Sequence, residues 1–193
     1  MNLDLSAHAE WRREASTLLL RYQVHNPLAL PVLLFDRRWD HDLDAVDRDW
    51  MEVFLDGGRA VLIRGHLPPP DGVVATEYPI PYGRRLEPGA THITELCLPL
   101  PLLEDSLWMS LQRPPMGPDE PREVEVERVD LHLGWCVLRG TEGLPEESRE
   151  PVELSGERMH RLDGALIAAA QQTAATVIAI GPLPLRRFAG GVA

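Results

Sequence analysis

The sequence predicts a mainly β protein, an antiparallel β-sandwich with one helix late in the chain. Several short runs alternate apolar and polar residues with period two, which is the pattern of strands that bury one face. The 193 residues include 18 prolines and 15 glycines, above the usual combined share of roughly 12%. Only Leu162 to Ala175 has the alanine-rich, leucine-containing composition of a helix.

The first strand is predicted at Thr17 to His25, where alternate residues from Leu18 to Val24 are apolar. The segment Asn26 to Pro31 contains two prolines, which exclude a helix there. The apolar run Val32 to Phe35 follows. We expect it to be a second strand, paired with the first through this short connection.

A β-hairpin is predicted around Asp56-Gly57-Gly58. The glycines supply the positive φ angles of a tight turn, and β-prone runs flank them at Trp50 to Leu55 and Arg59 to Gly65. Further strands are expected, each bounded by prolines that limit pairing at the strand ends. These strands are Val73 to Tyr78, Thr91 to Leu98 and Ser106 to Gln112.

The run from Arg122 to Arg139 changes phase in its middle. Its valines occupy even positions up to Val126, whereas apolar residues occupy odd positions from Val129 onward, including Trp135. A β-bulge near Glu127 and Arg128 would reconcile the two phases; a plain turn there is the alternative. Trp135 is in phase with its apolar neighbours and is predicted to lie in the core.

The C-terminal segment differs from the rest of the chain in composition. Residues 150–193 are predicted to form a helix-plus-strand extension packed on the sandwich. A short strand at Pro151 to Leu154 precedes the helix at Leu162 to Ala175. Thr176 to Ile180 is predicted as a closing strand and Gly181 to Leu185 as an irregular apolar segment. Since no linker divides the chain, residues 1–193 are predicted to form a single domain.

Two stretches carry a resemblance to a known fold family. Tyr22-Gln23-Val24-His25-Asn26-Pro27, followed by the run Pro31 to Asp36, resembles paired strands of bacterial immunoglobulin-like domains, including those of the intracellular proteinase inhibitor family. The turn Leu86-Glu87-Pro88-Gly89 before Thr91 to Leu98 is similar to a later turn and strand of such domains. The resemblance implies an immunoglobulin-like β-sandwich and says little about function, because one fold hosts many functions.

The charge composition excludes several functions. The chain has 30 acidic and 19 basic residues, a formal net charge of −11, and every basic residue is arginine. Without lysine there is no phosphate-loop lysine and no Schiff-base nucleophile. Without a basic stripe, the attraction that nucleic acids and anionic membranes require is missing. We therefore expect neither a nucleic-acid nor a membrane partner.

The start of the chain predicts a cytoplasmic protein. The segment Met1 to Leu5 contains an acid where a secretory signal needs basic charge, and no run reaches the ~18 apolar residues of a membrane span. In a reducing compartment, Cys97 and Cys136 are expected to be buried and reduced; a disulfide across two strands is the alternative.

The acidic run from Asp36 to Asp49 offers a candidate metal site. Asp40, Asp42 and Asp44 alternate, so an extended backbone would direct three carboxylates to one side, which suits Ca²⁺. His41 could join them around Zn²⁺. The calcium-loop pattern needs glycine where Ala45 stands and glutamate where Met51 stands.

A solvated acidic loop is therefore the preferred interpretation, held by ion pairs with Arg37, Arg38 and Arg48. Trp39 and Trp50 flank this loop and are candidates for a ligand platform, with packing in the core as the default for each. His92 and His132 are interpreted as out of phase with the apolar residues of their strands and are expected to face solvent.

The leading functional hypothesis is a non-enzymatic module that binds a protein or peptide, through an exposed strand edge or through the loops around Asp36 to Asp49. No nucleophile elbow, zinc signature or dinucleotide fingerprint is present, and no cofactor is expected. A metal-dependent hydrolase or metal-binding protein using Asp40, His41, Asp42 and Asp44 is one alternative. A structural subunit is another, in which Leu162 to Leu185 covers a sheet edge of a second copy in a homo-oligomer.

Overall fold

The structure is a computed structural model and describes residues 2–11, 16–40, 44–67, 80–105, 122–138, 151–154 and 156–187. The strands predicted at Val73 to Tyr78 and Ser106 to Gln112 lie outside these residues. Within the described part of the chain, no helix has the length and apolar character needed to cross a membrane.

The protein is mainly β, as predicted, with thirteen strands and one helix among the described residues. The elements are β1 (Asp4–Glu10), β2 (Thr17–His25), β3 (Val32–Asp40), β4 (Ala45–Asp47), β5 (Glu52–Asp56), β6 (Arg59–Arg64), β7 (Tyr82–Leu86), β8 (Thr91–Pro99), β9 (Leu102–Leu103), β10 (Arg122–Val137), β11 (Val152–Leu154), β12 (Glu157–Arg161), α1 (Gly164–Ala170) and β13 (Gln172–Arg187).

The strands form a small sheet and a large sheet. The small sheet has the order β1-β2-β8, with antiparallel neighbours. The large sheet has the order β11-β12-β7-β3-β10-β13-β9, and β4 and the β5–β6 pair attach to it through β3 and β10. Strand β6 runs parallel to β10, so the large sheet is mixed.

The main core lies between the two sheets. Leu20 and Leu96 of the small sheet face Leu34, Leu62 and Leu131 of the large sheet, and each of these side chains is at most 1% exposed. A smaller core lies on the opposite face of the large sheet, where α1 covers it. Its buried members are Leu33, Phe35, Cys136, Leu138, Leu162 and Ile167. Strand β3 thus buries both faces, which explains its unbroken apolar run.

Two local predictions are confirmed. Strands β5 and β6 form the expected antiparallel hairpin, with φ of 53° at Gly57 and 81° at Gly58. The register of β10 and β13 shifts between Val126 and Arg128, at the predicted bulge. Arg128 pairs with Ala179 and Val126 with Leu183, so three residues of β13 lie opposite one residue of β10.

The predicted pairing of the first two strands is wrong. Strand β2 pairs with β1 and β8 in the small sheet, whereas β3 pairs with β7, β10 and β4 in the large sheet. The connection between them therefore crosses from one sheet to the other. Asn26 holds this crossing: its buried side-chain amide donates to the carbonyl oxygens of Leu30 and Leu86, each at 3.0 Å.

The predicted extent of the helix is also wrong. The helix α1 begins after Asp163, whose carboxylate accepts a 2.8 Å hydrogen bond from the Ala165 N–H, and it ends at Ala170. Residues from Gln172 onward form β13, which includes the segment Gly181 to Leu185 that was predicted to be irregular. Pairing with β10 overrides the helix propensity of the alanines, and β13 lies between β10 and β9 in the large sheet.

Candidate functional site

A cluster of charged side chains lies between the two sheets, beside the edge strand β8. Strands β3, β6, β7 and β12 of the large sheet and the residue after β4 contribute the charges, and β2 and β8 of the small sheet cover them with polar groups. We call this group the arginine cluster. Its charged members are Asp36, Arg37, Arg48, Arg64, Arg84 and Glu157, and its polar cover is Tyr22, His92 and Thr94.

Asp36 sits at an irregularity of β3. The register with β7 shifts between Phe35 and Arg37, so Asp36 is the extra residue at this position, and its side chain points inward in phase with Leu34. Asp36 is fully buried, its Oδ2 lies 3.1 Å from Arg37 Nη1, and its Oδ1 lies 3.8 Å from Arg84 Nε. The same Oδ2 lies 3.2 Å from His92 Nε2 on β8, so this carboxylate joins the two sheets.

The surroundings of Asp36 favour its ionised form. Burial by itself raises the pKa of a carboxyl group, but the hydrogen bond with His92 and the charges of Arg37, Arg64 and Arg84 outweigh burial and lower the pKa of Asp36 to about 2. The cluster therefore contains a permanent buried negative charge at neutral pH.

Arg64 is a fully buried arginine that ends β6. It donates to the Tyr22 hydroxyl at 3.1 Å, to the Arg48 carbonyl oxygen at 2.7 Å and to the Asp36 carbonyl oxygen. Its guanidinium carbon lies 5.9 Å from the centre of the Tyr22 ring, within cation–π range. Among the described residues no carboxylate lies within ion-pair distance of Arg64, and its charge acts on the Asp36 carboxyl group at longer range, where it helps to lower the pKa of that group.

Glu157, the first residue of β12, is the second acid of the cluster. Its carboxylate lies 2.9 Å from Arg48 and 3.5 Å from Arg37 and also pairs with Arg84. Burial tends to raise the pKa of Glu157, but the charges of Arg84, Arg37 and Arg48 lower it below its usual value. Both acids of the cluster are thus ionised at neutral pH.

The cluster carries more positive than negative charge. Four guanidinium groups face two carboxylates, an excess of two positive charges among these six groups, in a protein whose net charge is −11. The Nε atoms of Arg37, Arg64 and Arg84 are buried and have no hydrogen-bond partner. The side chains of Arg84, His92 and Glu157 are 23%, 19% and 16% exposed, so the cluster reaches solvent beside β8.

Among the described strands, β8 is at the edge of its sheet along its whole length. It pairs with β2 on one side, and no described strand pairs with it on the other. The opposite edge of the small sheet differs, because β1 packs beside β13: Trp11 Nε1 donates to the Ile180 carbonyl oxygen at 3.3 Å, and Asn2 Nδ2 to that of Thr173 at 3.4 Å.

The free edge of β8 presents a definite set of backbone groups. Just outside the two ends of β8, the Ala90 carbonyl oxygen accepts from the Asn26 N–H at 3.0 Å, and the Leu100 N–H donates to the Ser16 carbonyl oxygen at 2.9 Å. Both residues have even numbers, so the even-numbered residues of β8 exchange hydrogen bonds with β2. Hydrogen-bonded and non-hydrogen-bonded pairs alternate in an antiparallel ladder. The backbone N–H and C=O groups that point away from β2 therefore belong to Thr91, Ile93, Glu95 and Cys97.

The residues predicted as a metal site are not fully described. Asp40 ends β3 and is half-buried, and Asp44 is exposed with φ of 49°, whereas His41 and Asp42 lie outside the described residues. In the part of the chain that the structure describes, no group of three or more His, Cys, Asp or Glu residues could hold a metal ion.

The expectation of a solvated loop beginning at Asp36 is wrong, because Asp36 is fully buried and Arg37 is 6% exposed. Trp39 is half-buried in β3. Trp50 is 6% exposed, its Nε1 donates to Glu52 at 3.0 Å, and Arg38 stacks on it with its guanidinium carbon 5.2 Å from the ring centre.

The expected solvent exposure of His92 is also wrong. His92 and Thr94 lie on the inner face of β8, in phase with Leu96 and Leu98, whereas Ile93 is 50% exposed on the outer face. Cys97 is exposed and only Cys136 is buried, which corrects the expectation that both are buried. Both cysteines are free thiols.

Sequence reasoning missed most of the arginine cluster. One signal was present in β6, where Arg64 occupies the inward phase set by Ala60 and Leu62. A charged residue at an inward position of a strand marks a buried polar site. No local signal links Arg84 and Glu157, because 73 residues of chain separate the two partners of this ion pair.

Comparisons of the chain with models of protein families, with curated proteins and with solved structures found no match.

Proposed function

We propose that the protein is a non-enzymatic binding module that accepts an extended segment of a partner protein along β8, as a fourth strand of the small sheet. The free edge of β8 carries the proposal. Its nine residues present a row of unpaired backbone groups about 30 Å long, and such rows are templates for strand addition.

The composition of β8 supports this use. Edge strands that avoid pairing are short or carry prolines and inward-pointing charges. In β8, proline occurs only at the last position, Pro99, and the one acidic side chain, Glu95, points to the outer face. A partner strand can therefore hydrogen-bond with Thr91, Ile93, Glu95 and Cys97 without displacing any bond between β8 and β2.

The test is a selection with a phage-displayed library of random nine-residue peptides. The variant Glu95→Pro removes one N–H from the free edge, and proline is tolerated at an edge position whose N–H faces solvent. The variant Glu95→Ala keeps that N–H and separates loss of the amide from loss of the side chain. We expect recovered peptides to bind the wild-type protein and the alanine variant, and to lose at least about tenfold in affinity for the proline variant, because an edge hydrogen bond is lost and the added strand is disrupted.

Hydrogen exchange gives a second measurement. A bound peptide should slow exchange of the amides of Ile93, Glu95 and Cys97, whose N–H groups face the free edge, while the amides of Thr94 and Leu96, already bonded to β2, change little. Failure to recover any peptide, or recovery of peptides that bind the proline variant equally well, would refute strand addition at β8.

A further inference from the structure

We infer that the segment that adds to β8 carries an acidic side chain facing inward, and that the arginine cluster receives this carboxylate. This inference rests on the proposed strand addition and names its specificity. It depends on three observations: the place of the cluster beside β8, the excess of positive charge, and the buried guanidinium nitrogens without hydrogen-bond partners.

The positions of the strands place an added strand over Arg84. In the small sheet the order is β1-β2-β8, and in the large sheet it is β13-β10-β3-β7. Strand β1 packs beside β13, and β8 contacts β3 through His92 and Asp36. One step outward from β8 therefore corresponds to one step from β3 to β7, the strand that carries Arg84.

Side-chain direction then selects the position. Residues of neighbouring strands that lie opposite each other point to the same face, with Cβ atoms roughly 5 Å apart. The residue of the added strand opposite His92 thus points inward, as His92 does. His92 and Arg84 both contact the carboxylate of Asp36, at 3.2 Å and 3.8 Å, so a side chain beside His92 enters the partly exposed mouth of the cluster.

The charge of the cluster selects an acid at this position. The four guanidinium groups outnumber the two carboxylates by two, and three of them share those two carboxylates. The Nε atom of Arg84 is buried without a hydrogen bond, 3.8 Å from Asp36 Oδ1. A carboxylate accepts strong, charge-assisted hydrogen bonds from guanidinium groups. A strand that covers Arg84 with a neutral or basic side chain removes water from the guanidinium group and offers no carboxylate in exchange, which costs binding energy.

The test uses three phage-displayed libraries of nine-residue peptides that are random except at one position, fixed as Glu, Gln or Arg. Each library is made with the fixed residue at position 8 and at position 2, which lie opposite His92 when a peptide pairs along all of β8 in the antiparallel or the parallel direction. After selection on the wild-type protein, we expect the Glu library to yield at least about tenfold more binders than the Gln library, the ratio of a single favourable charge pair. Raising the salt concentration should weaken Glu peptides more than Gln peptides.

Arg84→Gln should abolish the preference for Glu. The matched control is Arg85→Gln, which changes the neighbouring arginine: Arg85 lies on the opposite face of β7, pairs with Glu87 at 2.7 Å and is outside the cluster. We expect this control to keep the preference. If Arg84→Gln does not fold, the comparison of the Glu and Gln libraries on the wild-type protein decides the question alone.

The outcomes separate this inference from the proposed function. Equal recovery from the three libraries, with binders still sensitive to Glu95→Pro, would refute the acidic specificity and leave strand addition intact. No recovery from any library would refute strand addition itself. A dimer in light scattering that Glu95→Pro dissociates would identify a second copy as the occupant, and would overturn the inference because no acid points inward from β8.

Discussion

His92 Nε2 lies 3.2 Å from Asp36 Oδ2 and 2.8 Å from Thr94 Oγ1, and this contact ties the edge strand of the small sheet to an interior strand of the large one. Thr94 and His92 belong to β8, whereas Asp36 belongs to β3. A buried carboxylate therefore positions the strand that we propose as the binding edge. Changes at Asp36 should affect both the stability of the protein and the geometry of β8.

The first prediction concerns Asp36→Asn. The substitution removes one of the two carboxylates that pair with Arg37 and Arg84. The pair of Asp36 with Arg37 is buried, and breaking a buried ion pair from one side costs about 3–5 kcal/mol. We expect the free energy of unfolding at pH 7, measured with urea, to fall by about that amount. A loss below about 1 kcal/mol would contradict a structural role for this carboxylate.

The stability difference between the wild-type protein and Asp36→Asn should depend on pH in a definite direction. The pKa of Asp36 is lowered in the folded state to about 2 from a usual value of 3.8, so its contribution is complete above pH ~4 and is lost as the pH falls toward 2. Because a pKa difference of about 2 units corresponds to about 2 to 3 kcal/mol, the gap between wild type and variant should narrow by roughly 2 kcal/mol between pH 4 and pH 2.

The second prediction concerns the pair formed by Tyr22 and Arg64. Tyr22→Phe removes the hydroxyl that accepts from Arg64 Nη1 at 3.1 Å, which should cost about 1 to 2 kcal/mol of stability. In the background of Arg64→Met the donor is absent, so the same substitution should cost measurably less. A double-mutant cycle with urea unfolding measures this coupling; equal costs in both backgrounds would show that the hydrogen bond contributes nothing.

The sequence predicts those parts of the fold that depend on local chemistry. The glycines of the β5–β6 turn require positive φ, and the change of phase near Glu127 records a real register shift. Pairing partners are set by contacts distant in sequence, so the assignment of β3 to the large sheet could not follow from the short connection after His25. Strands β1, β4, β7, β9 and β12 were not predicted from the sequence; β7 contains only one buried aliphatic residue, Leu86.

The candidate site was less predictable than the fold. Asp36, Arg64 and Glu157 come from three separate segments, and topology alone brings them together. The charges of the acidic run are adjacent in sequence, a pattern typical of a solvated loop. Its first member, Asp36, is in phase with Val32 and Leu34, which face the main core, so alternation along β3 already places this side chain inward.

The third prediction concerns Gln171, which follows α1. Its Oε1 accepts from the His66 N–H at 2.8 Å and its Nε2 donates to the His66 carbonyl oxygen at 2.9 Å, so one side-chain amide mimics a strand pair. Gln171→Ala should lower the free energy of unfolding by about 2 kcal/mol through the loss of two hydrogen bonds.

The control for Gln171 is Gln171→Glu, which keeps the acceptor for the His66 N–H and loses the donor to the His66 carbonyl oxygen. We expect the free energy of unfolding of this variant to lie between those of the wild-type protein and the alanine variant. Because the charge of the new carboxylate can itself change stability, the three proteins are compared at pH 4 and at pH 7. An alanine variant as stable as the wild-type protein would contradict the bridging role of this side chain.

The fourth prediction concerns the two thiols. Cys136 is 4% exposed, and burial raises its pKa to about 11, whereas Cys97 is exposed on the outer face of β8. Because the thiolate is the reactive form, a disulfide reagent at pH 8 should modify one thiol per chain in the folded protein and two after unfolding in urea. Cys97→Ser should abolish the reaction of the folded protein, and Cys136→Ser should preserve it. Rapid reaction of both thiols in the folded wild-type protein would show that the smaller core, which α1 covers, does not shield Cys136 from the reagent.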